Sequence, residues 1–172
     1  MQWMRHIPLI TLVITLIGCT GKPNGVEPVK PFTLERYLGT WYEIARLDHS
    51  FERGLNQITA NYSLNPDSTV KVINRGWNEA EQSWQEAIGK AKFVEDSDQA
   101  HLKVSFFGPF YGSYIVFYLE PDYSVALVSG PDLDYFWILA RSPSLDGEQL
   151  QRYQQIAQTA GFDTSALIYP TH

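Results

Sequence analysis

The sequence predicts an all-β protein, an eight-stranded antiparallel up-and-down β-barrel with one C-terminal α-helix packed against its outer surface. Three observations lead to this fold class. Eight short segments rich in β-branched and aromatic residues follow one another between Gly39 and Arg141. Clusters of turn-forming residues separate these segments, and no helical pattern interrupts the series. Eight strands joined in this order can close on themselves around one small ligand.

The strands are recognised by their composition and by the turns between them. They are predicted over residues 40–47, 57–64, 69–76, 83–93, 101–107, 113–119, 124–129 and 135–141. Turn chemistry lies between them at residues 65–68, 95–98, 120–122 and 130–134. Where apolar and polar residues alternate, the apolar face is assigned to the barrel interior. In the fifth strand this assignment places Leu102, Val104 and Phe106 inside, with His101, Lys103 and Ser105 facing water.

One amphipathic helix is predicted after the last strand. Ser144 or Asp146 can cap its first turn, and Gly161 ends it. Its apolar positions recur at helical spacing and are Leu150, Tyr153, Ile156, Ala157 and Ala160. This apolar stripe requires a surface to cover it, which the outside of a barrel provides. A short strand near residues 166–169 is predicted to close the chain.

The first 18 residues have the layout of a secretory signal peptide. Arg5 precedes an apolar run too short to span a membrane comfortably, and no acidic residue occurs before Glu27. The run ends in the sequence LIGC at residues 16–19, which resembles the bacterial lipoprotein signal. In that family the cysteine receives a diacylglycerol on its sulfur, the signal is cleaved before it, and the freed amine takes a fatty acid such as palmitate. The resemblance implies that Cys19 is lipidated, and Thr20, because it is not aspartate, implies sorting to the outer membrane.

Composition limits what the mature chain can do. Removing residues 1–18 takes away one of the 13 basic residues and none of the 19 acidic ones, which changes the net charge from −6 to −7. An acidic chain is a poor candidate for binding nucleic acid. Cys19 is the single cysteine, so the chain folds without an internal disulfide. Residues 19–31 are predicted to be the lipidated cysteine and a flexible tether, and residues 32–172 one domain.

Three motifs in the predicted barrel resemble the three signatures of the lipocalins. They are GTWY at residues 39–42, PDY at residues 121–123, and Arg141 at the end of the eighth strand. The similarity covers residues 32–169, and the segments 54–61 and 106–112 look like the bacterial outer-membrane lipoprotein branch of that family. The resemblance implies carriage or storage of an amphipathic lipid, a fatty acid or lysophospholipid, for membrane maintenance. No bond is made or broken in that role.

The signature residues are expected to hold the fold together, not to touch ligand. Gly39 lets the chain turn under the barrel, and Trp41 is large enough to plug its floor. The guanidinium of Arg141 can lie on the Trp41 indole, and Asp122 can cap a turn between strands.

The ligand is expected in the barrel interior. Strand alternation assigns to it Ile58, Ala60, Tyr62, Val72, Asn74, Ala87, Leu102, Val104, Phe106, Tyr114, Val116, Leu127, Ser129, Tyr135 and Trp137. This set is mostly apolar with a few polar groups, as in small-molecule pockets. Small residues among the aromatics favour an open cavity, and the alternative is that the side chains fill the barrel completely.

Catalytic and metal chemistry find little support. The four histidines are not spaced as metal ligands, no phosphate-binding loop occurs, and no cofactor is expected. Glu43 shares the predicted face of Trp41 and Ala45; it either pairs with an arginine near the floor or contacts ligand. An enzyme on the same fold stays open as an alternative, although the lipocalin isomerase type uses a cavity cysteine that this mature chain lacks. A module that binds protein through the aromatic segment 106–112 is the third alternative.

Aromatic crowding raises the question of self-association. Phe107, Phe110 and Tyr111 lie in one predicted loop region. Ile115, Phe117 and Tyr118 lie in a strand that is apolar on both faces. Exposed patches of this kind mark interfaces, and the bacterial branch includes homodimers. A homodimer and cover by the chain's own helix are equally supported at this point.

Overall fold

The computed structural model describes residues 20–172, so the predicted signal peptide and Cys19 lie outside the described residues. Its elements are α1 Leu34–Tyr37, β1 Gly39–Arg46, β2 Leu55–Leu64, β3 Val70–Asn78, β4 Ser83–Phe93, β5 His101–Phe107, β6 Phe110–Leu119, β7 Val125–Ser129, β8 Phe136–Ala140, α2 Gly147–Thr159 and a short 3₁₀-helix Thr164–Ala166. Each strand pairs antiparallel with the next, and β8 pairs with β1 to close the barrel. The predicted fold class is confirmed.

The up-and-down order gives the barrel two unlike ends. The connections β1–β2, β3–β4, β5–β6 and β7–β8 lie together at one end, here called the open end. The other three connections lie at the opposite end, the floor, where β1 begins and Trp41 is completely buried. The strand conformation is stabilised because β-branched and aromatic side chains pack well on a pleated surface that is buried on one side.

Two apolar clusters form, one on each side of the barrel wall. The inner cluster contains Trp41, Tyr62, Val72, Leu102, Val116, Val128 and Leu139. The outer cluster lies between the wall and α2 and contains Ile44, Ile115, Leu127, Ile138, Tyr153 and Ala157. The helix therefore covers the strands that are apolar on both faces, and Ile115, Phe117 and Tyr118 pack in this outer cluster instead of forming an exposed interface.

Helix α2 begins with a capping box. The Asp146 carboxylate accepts from the Gln149 backbone N–H, and the Gln149 side chain accepts from the Asp146 N–H. Of the two predicted caps, the structure therefore selects Asp146. Gly161 follows the helix with a φ of +104°, a left-handed conformation that glycine adopts without strain.

The segment before the domain is held against the barrel. The sequence predicts a flexible tether there, and the structure differs from residue 21 onward. Val26 is completely buried in the outer cluster. Val29 donates its N–H to the carbonyl of Val116 at 2.9 Å and accepts from the N–H of Ala100 at 2.9 Å. This segment packs on the wall despite its Pro and Gly content. Its apolar side chains are removed from water there, and backbone groups of the wall that would otherwise be unpaired gain hydrogen-bond partners.

The C-terminal segment forms less strand than predicted. Residues 164–166 make a 3₁₀-turn, and a single antiparallel bridge joins Ile168 to Arg46. Among residues 20–172, no helix is both long enough and apolar enough to cross a membrane.

Candidate functional site

The floor is closed by the stacked pair Trp41 and Arg141. The guanidinium carbon lies 3.9 Å from the indole centroid. Arg141 also donates to the carbonyls of Thr40 at 2.8 Å and of Leu38 at 2.9 Å, which ties β8 to the chain entering β1. Gly39 has a φ of +96°, and a Cβ there would lie 3.4 Å from Arg141 Nη1. These contacts are structural and face away from the interior space.

Asp122, which belongs to the second signature motif, caps a turn. The Asp122 carboxylate accepts from the Ser124 N–H at 2.9 Å, and these hydrogen bonds hold the pKa of Asp122 below its ordinary value. The turn lies at the floor, between β6 and β7, so Asp122 also stands apart from the interior.

Three tyrosines form a layer directly above Trp41. The Tyr37 ring lies 4.7 Å from the Trp41 ring. The Tyr114 hydroxyl lies 2.7 Å from that of Tyr37 and 2.8 Å from that of Tyr62. Burial raises the pKa of all three phenols, so they stay neutral and exchange hydrogen bonds among themselves. They form the lower polar limit of the interior.

A bulge in β1 changes which side chains enter the barrel. The pairing of β1 with β8 shifts register between Glu43 and Ala45. Ile44 and Ala45 both pack in the outer cluster, and Arg46 returns to the interior. Glu43 shares a face with Trp41 as predicted, but the assignment of Ala45 to that face is wrong, because alternation fails across a bulge.

The bulge creates a buried polar group inside the barrel, here called the carboxylate cluster and consisting of Glu43, Arg46, His49 and Glu52. Arg46 Nη1 donates to Glu43 Oε1 at 2.7 Å, and Arg46 Nη2 donates to the carbonyl of Glu52 at 2.9 Å. Trp137 Nε1 donates to Glu52 Oε2 at 3.0 Å. Glu43 therefore pairs with an arginine of its own strand, not with one near the floor.

The cluster holds two carboxyls and one permanent cation. Burial raises the pKa of Glu43 well above its ordinary value, the nearby Glu52 raises it further, and Arg46 opposes both effects. Burial also raises the pKa of Glu52. Burial lowers the pKa of His49 to about 4, so this imidazole is neutral although its Nε2 lies 3.3 Å from Glu52 Oε2. An unpaired carboxylate in this place is costly, which favours a proton or a ligand group beside it.

Four polar atoms of the interior lack a hydrogen-bond partner within residues 20–172. They are Arg46 Nε, both ring nitrogens of His49 and Asn74 Oδ1, and all four are buried. Buried polar groups are nearly always satisfied, so a donor and an acceptor are left here for a bound molecule.

Most of the residues predicted to line the cavity lie on the inner side of the wall. In the inner cluster or packed against it are Ala60, Tyr62, Val72, Leu102, Val104, Phe106, Tyr114, Val116 and Trp137. Asn74 and Ala87 face each other across β3 and β4 on the same side. Ile58 is buried beside Gly76. Tyr135 lies just outside β8, stacked 5.8 Å from His49 and 6.3 Å from Trp137.

Two residues assigned to the cavity lie on the opposite side. Leu127 is completely buried in the outer cluster under α2. Ser129 pairs with Ile115 and Phe136, which both belong to that cluster. These two assignments are wrong, because every residue of β7 is buried and alternation carries no signal in such a strand.

His101 also differs from expectation. It lies on the outer face of β5 as predicted, but only 8% of it is exposed. Its Nε2 lies 3.3 Å from Ser113 Oγ, and Ser113 donates to the carbonyl of Gly21 at 2.7 Å. The N-terminal segment thus covers this face. No group of three or more His, Cys, Asp or Glu side chains arranged to bind a metal occurs within the described part of the chain.

Sequence patterns missed Arg46, His49, Glu52 and Tyr37. Arg46 is concealed by the bulge, and His49 and Glu52 belong to a loop whose path no local pattern predicts. Tyr37 precedes β1 in a one-turn helix that brings its ring into the barrel against Trp41. Only the charged pair spaced i, i+3 at residues 43 and 46 could have hinted at the cluster, and such pairs are common on surfaces.

We expect Glu52→Gln to flatten the pH dependence of stability. The pKa of Glu52 is raised in the folded state, so a proton on this carboxyl stabilises the folded protein. This stabilisation is complete at pH values below the ordinary pKa of glutamate, and it is lost as the pH rises through the folded-state pKa. Glutamine keeps the acceptor for Trp137 and does not titrate. Melting temperatures at about pH 5 and about pH 8 should therefore fall less with rising pH in the variant than in the native protein.

The matched control is Glu86→Gln on the exposed face of β4, which should keep the native slope. The pKa of His49 is lowered in the folded state, so its titration changes stability with pH in the opposite direction. This effect is present in the native protein and in both variants. A Glu52→Gln slope equal to the native one would show that this carboxyl ionises freely.

Comparisons with known proteins agree with this architecture. Residues 32–172 match the sequence model of the lipocalin-like domain. The chain is 52% identical over 167 residues to the outer membrane lipoprotein Blc of Vibrio cholerae, covering 96% of this chain and 98% of that protein. It is 48% identical over 171 residues to the protein of the same name from Escherichia coli K12, covering 96% and 97%. The solved structure of insecticyanin from the tobacco hornworm Manduca sexta has a TM-score of 0.70 at 21% identity, with 88% and 87% coverage, and supports the fold alone.

Proposed function

The chain belongs to the lipocalin family and to its branch of bacterial outer-membrane lipoproteins, and from this premise we propose that it binds one amphipathic lipid inside the barrel. The ligand is a fatty acid or a lysophospholipid, carried or stored for maintenance of the outer membrane. The role is binding without turnover.

The observation that carries this proposal is the incomplete burial of apolar side chains that face inward. Ala60, Val104 and Phe106 pack against the inner cluster but are only half-buried, and Ala87 on the same side is exposed. Side chains that point inward and still meet solvent line a space that opens to water. An acyl chain placed there would gain ~0.8 kcal/mol for each methylene group removed from water.

The polar atoms of the interior suit the head of such a ligand. The carboxylate cluster and Asn74 lie above the tyrosine layer, where a lipid head group directed to the open end would pass. Arg46 Nε can donate to an ester or phosphate oxygen, and Asn74 Oδ1 can accept from a hydroxyl or amine. These contacts orient the ligand, while the apolar wall supplies most of the affinity.

Anchoring through Cys19 is the second part of the proposal. Cys19 follows the predicted signal peptide directly, and the relatives compared above are named as outer membrane lipoproteins. Two or three acyl chains give stable attachment where one gives only marginal binding.

The proposal is tested by binding measured against acyl chain length. We expect saturated fatty acids titrated calorimetrically into the Cys19→Ser protein to bind more tightly as the chain grows, then to plateau when the cavity is full. Val104→Trp should lower the length at which the plateau is reached, since Val104 is half-buried and faces inward on β5.

Lys103→Trp is the matched control, because Lys103 is the neighbour of Val104 on the outer face of the same strand. It should bind like the native protein. Affinity that is indifferent to chain length, or unchanged by Val104→Trp, would place the ligand outside the barrel.

A further inference from the structure

Unsatisfied polar atoms concentrate at the carboxylate cluster. Five buried side-chain atoms lack a hydrogen-bond partner within residues 20–172, and three of them are Arg46 Nε and the two ring nitrogens of His49. Arg46 is 2% and His49 6% exposed, so both side chains are almost completely removed from solvent. Buried polar groups are nearly always satisfied. The cluster is therefore the place in the interior where a bound molecule has hydrogen bonds to supply.

The charges of the cluster do not balance. Glu43 and Arg46 form a buried ion pair at 2.7 Å. Arg46 hydrogen-bonds to Glu52 only at the main-chain carbonyl, at 2.9 Å. The Glu52 carboxyl accepts from Trp137, which carries no charge, and the nearby imidazole of His49 is neutral because burial lowers its pKa to about 4. The second carboxyl thus has no cation of its own.

Neighbouring elements within the described part of the chain do not supply this cation. The other titratable side chains that border the cluster come from four segments and are Asp48 and Arg53 in the same loop, Tyr62 on β2, Tyr135 before β8 and His172 at the C-terminal end. Asp48 and Arg53 pair with each other at the surface, at 2.6 Å. Burial raises the pKa of Tyr62, which stays neutral. His172 Nε2 lies 2.8 Å from the main-chain carbonyl of Glu43 and not beside a carboxyl.

The kind of group that fits beside the cluster follows from this charge balance. A hydroxyl or an ester can bond to Arg46 Nε or to His49 without adding charge. A carboxylate or a sulfate at Arg46 Nε shares the guanidinium with Glu43 and is the third negative charge against one cation. Such a charge is costly in a buried place unless a carboxyl there takes up a proton. Of the two carboxyls, Glu52 is the one without a paired cation.

We propose that Glu52 selects the lipid by the charge of the group placed beside the carboxylate cluster. An uncharged hydroxyl or ester binds there directly, and an anionic group binds only as the Glu52 carboxylate takes up one proton from water and becomes the neutral acid. No bond of the ligand is made or broken. This inference rests on the proposed function and deepens it. Above the folded-state pKa of Glu52, affinity for an anionic lipid should fall by up to about tenfold per pH unit, and affinity for an uncharged lipid should not.

Proton uptake by the Cys19→Ser protein is the first test. A monoacylglycerol, a fatty acid and an alkyl sulfate of one chain length are titrated calorimetrically in buffers that differ in ionisation enthalpy, from about pH 6 to about pH 9. At the alkaline end we expect uptake of about one proton with each anion and none with the monoacylglycerol. The alkyl sulfate stays ionised throughout, so its proton goes to the protein.

The outcomes of this test separate the two proposals. Binding of anionic and uncharged lipids without proton uptake at any pH overturns the role of Glu52 and leaves the proposed function standing. If no lipid binds, the proposed function fails and this inference fails with it.

Glu52→Gln identifies the group that takes up the proton. Glutamine keeps an acceptor for Trp137 and cannot ionise. Proton uptake with the alkyl sulfate should disappear, and the ratio of alkyl sulfate to monoacylglycerol affinity at the alkaline end should rise by about tenfold or more. Glu86→Gln on the exposed face of β4 is the matched control and should keep the native uptake and ratio. Uptake that persists in Glu52→Gln places the proton on another group, such as His49, and overturns the proposal.

Discussion

Replacing Trp41 with alanine should lower the free energy of unfolding by ~3–5 kcal/mol, the cost of emptying a large aromatic site. Trp41 is completely buried, and its Nε1 donates to the carbonyl of Tyr37 at 2.8 Å. The substitution removes the plug under the tyrosine layer and leaves that carbonyl without its donor. Because a domain of this size has only ~5–15 kcal/mol in total, the variant should unfold at far lower urea concentration.

A double-mutant cycle with Arg141 tests whether the stacked pair acts as a unit. Arg141→Ala loses the contact with the indole and the bonds to Thr40 and Leu38. The double variant should be less destabilised than the sum of the single ones, by ~1–2 kcal/mol. Arg152→Ala is the control, because Arg152 pairs with Glu120 at the surface and should be additive with Trp41→Ala. Strict additivity of Trp41 and Arg141 would remove the stacked pair as a source of stability.

Cys19→Ser should abolish stable membrane attachment while the domain still folds. The variant cannot be acylated, so it lacks the acyl chains that give stable attachment to the membrane. We expect the native protein in the membrane pellet after a high-salt wash and the variant in the soluble fraction, with unchanged far-ultraviolet circular dichroism.

A neighbouring substitution separates attachment from sorting. In the bacterial lipoproteins that residues 16–19 resemble, an aspartate directly after the lipidated cysteine implies retention in the inner membrane. Thr20→Asp should therefore keep the protein acylated and in the pellet but move it to the inner membrane. A Cys19→Ser protein that sediments with outer membranes and resists salt would show that attachment has another source.

Local patterns were enough for the strands and for the closing residues of the barrel. The predicted strand 83–93 agrees with β4 at both ends, and the predicted strand 101–107 agrees with β5. Alternation with one buried face and turn residues between runs are local properties, so they can be recognised without tertiary contacts. The roles of Trp41 and Arg141 followed from the resemblance of their motifs to the lipocalin signatures, and the size of the indole and the charge of the guanidinium agree with these roles.

Which polar side chains lie inside the barrel depends on tertiary structure and not on local pattern. Arg46 enters it only because β1 bulges between Glu43 and Ala45, and Glu52 reaches it through a loop. A bulge reverses every later side chain on its strand, and nothing in the local composition announces it.

The sequence by itself determined the order of the strands, the residues that close the floor and the helix that covers the outer face. Only the tertiary structure decided that Leu127 packs under α2 and that residues 21–31 lie along the wall. A strand that is apolar on both faces satisfies either orientation locally. Which face points into the barrel is decided when the barrel closes and α2 covers the outer face. Burial of either face depends on partners that are distant in the chain.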